Sequence, residues 1–209
     1  STLAVGGDVT ISSATSTKPH LTITNTNADA NSPQFIFKKD SSSPADDDEV
    51  GRIYMYGDDD GGNPFEAVLI RGKTTDVSNG NEDSSLEFLT YKAGTQTSTL
   101  ALNSGNVGIG TASPTVNLHV SGSGAVNHLI GSTDAGGAFL VLDGDSNGDG
   151  GGGDYSYLAH NTDGTLDIIQ DSPSGTNEIR FGTAGTADKV TIDASGHVSL
   201  TADNQELRI

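Results

Sequence analysis

The chain has 209 residues, 33% of them hydrophobic and 5% aromatic, without tryptophan or cysteine, and its 28 acidic against 10 basic residues give a formal charge of −18. Such a charge repels nucleic acid and anionic lipid, so neither is expected as a partner, and the lack of cysteine excludes a disulfide framework and thiolate metal sites. No run approaches the roughly 18 apolar residues that cross a bilayer, so no membrane insertion is expected, and no basic-then-apolar signal opens the chain.

Low hydrophobicity combined with high charge is also the signature of disorder. Against it stands a regular alternation of Val, Ile, Leu, Phe and Tyr with polar residues, which a solvated coil has no need to keep. The stripe of apolar residues at i, i+3, i+4 and i+7 that marks a helix is missing, and Gly, Pro, Ser, Thr, Asn and Asp punctuate the chain every few residues. The expected fold class is therefore all-β, built from thin, half-buried strands that need a partner surface to complete a core.

In chain order, the first strand-entry element is Gly6-Gly7-Asp8-Val9-Thr10-Ile11. Strands are then expected at Leu21–Ile23, Phe35–Phe37, Arg52–Tyr56, Ala67–Ile70, Leu86–Tyr91 and Thr99–Leu102. The entry element recurs as Ser104-Gly105-Asn106-Val107-Gly108-Ile109 and again as Ser195-Gly196-His197-Val198-Ser199-Leu200. Between these two, strands are expected at His119-Val120, Phe139–Leu142, Tyr155–Leu158, Leu166–Ile169, Glu178–Phe181 and Val190–Ile192. Phe139-Leu140-Val141-Leu142 is apolar at consecutive positions, which predicts a strand covered on both faces.

The three elements divide the chain into two tandem modules, 1–114 (with a leading strand element at 1–11) and a shorter 115–209 that runs into a further repeat. Successive marker valines lie 107 − 9 = 98 and 198 − 107 = 91 positions apart, a spacing nearer to a small domain than to a solenoid rung. Pro19-His20-Leu21 matches Asn127-His128-Leu129, Phe35-Ile36-Phe37 matches Phe139-Leu140-Val141, and Leu86-Glu87-Phe88 pairs with Glu178-Ile179-Arg180-Phe181. Strand-like residues at both Ser1 and Ile209 lead us to expect a piece of a longer polypeptide.

The central stretch Gly105-Asn106-Val107-Gly108-Ile109-Gly110-Thr111-Ala112-Ser113-Pro114, followed by Leu118-His119-Val120, resembles the GNVGIGT segment of bacteriophage tail-fibre proteins. Ser43 through Asp60 to Phe88 also resembles phage fibre modules, and Asn204 to Ile209 resembles the start of another repeat. The resemblance implies an elongated, parallel homotrimeric virion fibre whose modules are sandwich- or prism-like. It would be located on the extracellular particle, with other virion proteins and a host cell-surface glycan as partners. It implies no enzyme activity, since the self-cleaving chaperone domain that often follows this segment has no counterpart here. Two alternatives stay open: a monomeric carbohydrate-binding or adhesin module, and a polysaccharide-depolymerising tailspike.

Among residues that could carry chemistry, the sharpest candidate is the loop from Asp143 to Asp154, which matches the D-x-D-x-N-G opening of a calcium loop. Asp143, Asp145, Asn147, Asp149 and Asp154 are its candidate metal ligands, with Gly148 allowing the sharp turn. Asp154 is shorter than the glutamate that normally closes such a loop, and an acidic, glycine-rich hairpin tip fits the same residues. No other cofactor is expected. Asp46 to Glu49 and Asp58 to Asp60 read as solvated loop tips. No phosphate loop or paired-histidine spacing is present, and among 28 acids a carboxylate pair at glycosidase spacing arises by chance. Tyr54, Tyr56, Tyr91, Tyr155 and Tyr157 suit either strand packing or stacking on sugars. The loops 57–64 and 143–154 are the expected receptor contacts.

Overall fold

The computed structural model describes residues 5–133, 135–143, 155–171, 177–183 and 187–200. Among these the protein is all-β, with twelve strands in three open sheets of six, three and three strands and no helix. The chain divides into two compact units, Ser1–Val126 and Asn127–Ile209.

The first unit is one sheet in chain order: β1 (Glu49–Asp58), β2 (Pro64–Asp76), β3 (Asp83–Lys92), β4 (Thr95–Asn103), β5 (Asn106–Ile109) and β6 (Leu118–Val120). β1 to β5 pair antiparallel through short hairpins, and β6 then joins β5 in parallel. Because β5 and β6 belong to one sheet, the seam expected near residue 115 falls inside this unit, which extends beyond β6.

Two of the hairpins are two-residue turns with both central residues left-handed, Ala93-Gly94 (φ 49° and 78°) and Ser104-Gly105 (φ 48° and 84°). This geometry matches the twist of the flanking strands and favours glycine at the second position. The β5–β6 crossover takes only eight residues, far fewer than a helical crossover needs. It is held by the Val107 amide donating to the Asn117 carbonyl (2.8 Å) and the Ser121 amide to the Ile109 carbonyl (2.9 Å).

Alternation separates the two faces of this sheet. On one, successive Cα partners run Ile53, Ile70, Phe88, Leu100, Ile109 and Val120, one from each strand. Beside that row runs another: Gly51, Gly72, Leu86, Leu102, Val107 and Leu118. On the opposite face the corresponding row is Arg52, Arg71, Glu87, Ala101, Gly108 and His119. The buried residues belong mainly to this second face, with Leu69 2% and Ala101 0% exposed, whereas Ile53, Leu102 and Ile109 on the apolar rows stay 41–43% exposed.

Residues 5–48 contain no strand. The strands expected at Leu21–Ile23 and Phe35–Phe37, and the element at Val9–Ile11, are exposed chain, because no neighbouring strand hydrogen-bonds their backbone. Phe37 reaches the apolar face. It lies over Gly51, where a β-carbon would come within 2.9 Å of its own, and borders an open depression of about 230 Å³ with Val50, Ile53, Ile70 and Leu86.

The second unit holds two antiparallel meanders, β7 (Ala138–Asp143), β8 (Tyr155–His160) and β9 (Leu166–Asp171), then β10 (Ile179–Thr183), β11 (Ala187–Ile192) and β12 (Val198–Leu200). Every strand expected after residue 118 is present. The expectation that Phe139–Leu142 is covered on both faces does not hold within one chain: all four side chains are exposed. His128 and Leu129 lie outside any strand, as His20 and Leu21 do, with Leu129 89% exposed.

Candidate functional site

The polar face of the first sheet is organised by one arginine. Arg71 donates from Nη2 to Glu87 at 2.9 Å and from Nη1 to Glu49 at 3.2 Å. Glu87 is 5% exposed, so its charge is tolerated only because that guanidinium faces it across the β2–β3 ladder. Glu49 also pairs with Arg52.

The acidic run at the start of β1, expected to be a solvated tip, is instead distributed among separate partners. The Asp46 carboxylate accepts the Val77 amide (3.0 Å), Asp47 pairs with Lys73 (2.9 Å), Asp48 pairs with Lys39 (2.6 Å), and Glu49 takes the two arginines. The Lys39 ammonium and the Ala45 amide hold the Asp48 carboxyl below its usual pKa. The run thereby fastens the irregular chain before β1 to the body of the sheet.

Three hairpins share one five-residue loop: Asp59–Asn63, Asn161–Thr165 and Asp193–His197. In each, the first amide donates to the fifth carbonyl (2.9, 3.0 and 3.0 Å) and the glycine at position four donates back to the first carbonyl (3.0, 3.1 and 2.9 Å). That glycine is left-handed, at φ 77° (Gly62), 87° (Gly164) and 80° (Gly196). Asp59 and Asp193 close their loops by accepting the third and fifth amides on one carboxylate oxygen, at 2.8–2.9 Å. These bonds stabilise the anion and lower the pKa of both groups, the Asn63 amide being the main cause at Asp59 and the His197 amide at Asp193. Asp59, at the tip of the expected receptor loop 57–64, is therefore occupied in holding the turn.

Two tyrosine pairs stand out on the strands. Tyr54 and Tyr56 lie on β1 with ring centroids 5.8 Å apart and planes inclined by 32°; Tyr155 and Tyr157 on β8 are 6.0 Å apart and inclined by 37°. Arg52 Nη1 donates to the Tyr54 hydroxyl. The Tyr56 hydroxyl donates to Glu66 (3.3 Å), and the Gln96 amide reaches the other oxygen of that carboxylate (3.4 Å). Local desolvation and the negative charge of Glu66 raise the pKa of the Tyr56 phenol. Phe65 packs on Tyr91 at 5.3 Å, and Phe139 on Tyr157 at 5.7 Å. All five tyrosines were candidates from sequence. Glu66 and Gln96 were not, because they reach the pair through cross-strand register, which leaves no local trace.

Of the candidate calcium ligands, Asp143 ends β7 opposite Tyr155, while Asp145, Asn147, Asp149 and Asp154 lie outside the described residues. No grouping of three or more metal-ligating side chains occurs among the described residues. His119 accepts the Thr115 amide on Nδ1 (3.4 Å) within the crossover, and His197 contacts Asp193 (3.2 Å) within its turn, so both serve local structure. Compared with known proteins, the chain matches no family model and no curated protein sequence.

Proposed function

We propose that this chain is a structural fibre protein of a bacteriophage particle, assembled from copies of itself as a parallel homotrimer and contributing to attachment to the host cell. The observation that carries this reading is the apolar face of the first sheet. Two rows, each crossing all six strands, present no ionisable side chain on a molecule of charge −18. Five inter-strand gaps make each row about 24 Å long. An open apolar surface of this kind marks an interaction site, and a neutral face lets equally acidic copies meet without charge repulsion. The exposed aromatic and aliphatic residues of 5–48 supply further surface for the same contact.

Light scattering on the purified chain tests assembly. The expected mass is about three times the 21.3 kDa of one chain, and a mass of one chain overturns it. Labelling of particle appendages by an antibody raised against the chain tests the location. A monomeric carbohydrate-binding module is the second reading, favoured by the two tyrosine pairs, of which Tyr56 is exposed and the other three rings are half-buried; it keeps sugar binding at a one-chain mass.

A further inference from the structure

We propose that each tyrosine pair is a stacking platform for a neutral glycan, with Tyr54 and Tyr56 as one subsite and Tyr155 and Tyr157 as a second.

The first ground is repetition of geometry in different surroundings. One pair sits in a six-stranded sheet and the other in a three-stranded one. Even so, centroid separations (5.8 and 6.0 Å) and inclinations (32° and 37°) nearly coincide. Both pairs occupy i, i+2 positions of one strand, which aligns two rings along its axis. Packing into a core does not account for Tyr56, which is 63% exposed.

The second ground is chemistry at the ring edges. A pyranose presents an apolar C–H face and a rim of hydroxyls, so its site needs flat apolar surface bordered by donors and acceptors. Around Tyr54 and Tyr56 stand the Arg52 guanidinium, the Glu66 carboxylate and the Gln96 amide. In the second unit, Phe139 widens the ring surface and register places Asp143 beside Tyr155. The third ground is charge: a chain at −18 repels uronic-acid and sialylated polymers, which leaves neutral hexose chains as the class that can approach. Two subsites per chain, multiplied by assembly, would turn weak single contacts into firm adhesion.

This inference rests on the attachment part of the proposed function, and its test separates the two. The chain has no tryptophan and five tyrosines, of which all but Tyr91 belong to the platforms, so tyrosine emission reports mainly on them. The probes are gluco-, manno- and galacto-oligosaccharides, with an oligogalacturonate as the anionic control. The expected result is a saturable change in tyrosine fluorescence with at least one neutral oligomer and none with the anionic one. Tyr56→Ala is expected to weaken the first subsite about tenfold, a loss of about 1.4 kcal/mol, while Tyr56→Phe retains most binding. Light scattering accompanies each variant. No response to any neutral oligomer overturns the inference, as does a Tyr56→Ala variant whose affinity is unchanged. A Tyr56→Ala variant that loses assembly identifies the rings as a subunit contact and overturns it too, leaving the fibre reading standing. Sugar binding by a chain of single-chain mass supports the platform and removes the trimer.

Discussion

A β-carbon on Gly108 would stand 2.3 Å from the carbonyl oxygen of Thr111, closer than any side-chain carbon is found to backbone. Gly110, two residues on, has φ 73° and would meet the Ser121 carbonyl at 2.2 Å. The two glycines let the eight-residue crossover fold tightly enough for β6 to pair with β5. Gly110→Ala is therefore expected to cost at least about 2 kcal/mol, combining left-handed strain with a backbone clash. Gly105→Ala, at φ 84° but with open space around it, should cost about 1 kcal/mol. Urea denaturation of the three proteins checks the order, and equal losses would refute the steric account.

Glu87 and Arg71 form the most buried ion pair among the described residues, with side chains 6% and 23% exposed. Truncating one partner should be worse than replacing both. Glu87→Ala is expected to destabilise by about 2 kcal/mol, less than a fully enclosed pair would lose, since Arg71 keeps Glu49 and some solvent. An Arg71→Met, Glu87→Leu double variant should recover most of that loss. A double-mutant cycle by chemical denaturation measures the coupling, and a coupling near zero would contradict it.

Leu102 lies on the second apolar row, between Leu86 and Val107, and is already exposed in a single chain. Leu102→Glu should leave the fold of one chain intact but weaken self-association at least tenfold, or about 1.4 kcal/mol. Leu102→Met should assemble as the parent does. Sedimentation across a concentration series distinguishes them. Unchanged association in the glutamate variant would move the interface elsewhere.

Asp59 and Asp193 titrate below the ordinary carboxylate value of 3.8. For a group whose folded pKa is depressed, the stabilisation is fully present above the unfolded value and disappears as pH falls through the folded one. Both loops should thus be intact at pH 5 and above, and loosen together below about pH 3.8. Hydrogen exchange at the Gly61, Asn63, Ser195 and His197 amides reads this directly. Protection that persists in Asp59→Asn at low pH but is lost in the parent would confirm the carboxylate as the titrating group.

Much of the architecture is legible in the residues, and the exceptions have physical reasons. Alternation located all strands from Arg52 to Leu102, because each has its hydrogen-bonding neighbour within the next few dozen residues. The same alternation at Leu21–Ile23 and Phe35–Phe37 misled, since a pattern of side chains does not supply the partner ladder a strand requires. Similarity among the three glycine–valine elements conceals three environments. Gly105 completes a two-residue turn, Gly196 the five-residue loop Asp193–His197, and Gly6-Gly7 precedes no strand. Where the middle copy has Gly108 and Gly110, the first has Thr10 and Ser12, whose β-carbons exclude the same tight crossover. The fate of Asp46 to Glu49 was hidden for a different reason: their partners Val77, Lys73, Lys39 and Arg71 are set by three-dimensional register. For the tyrosines, spacing revealed the pairs, but the carboxylate and amide beside Tyr56 came only with the cross-strand contacts.

The parallel placement of β6 also fixes how the first sheet meets tension. β1 and β5 run in the same direction, since an even number of antiparallel reversals separates them, and β6 continues in that direction. The start of β1 and the end of β6 therefore lie at opposite ends of the sheet. A pull along the polypeptide loads the ladder sideways, so that many backbone bonds must yield together. Had β6 turned back, the two ends would share one side and the bonds would part singly, like teeth of a zip. Eight residues and two glycines thus decide whether the sheet is peeled or sheared when the chain is stretched.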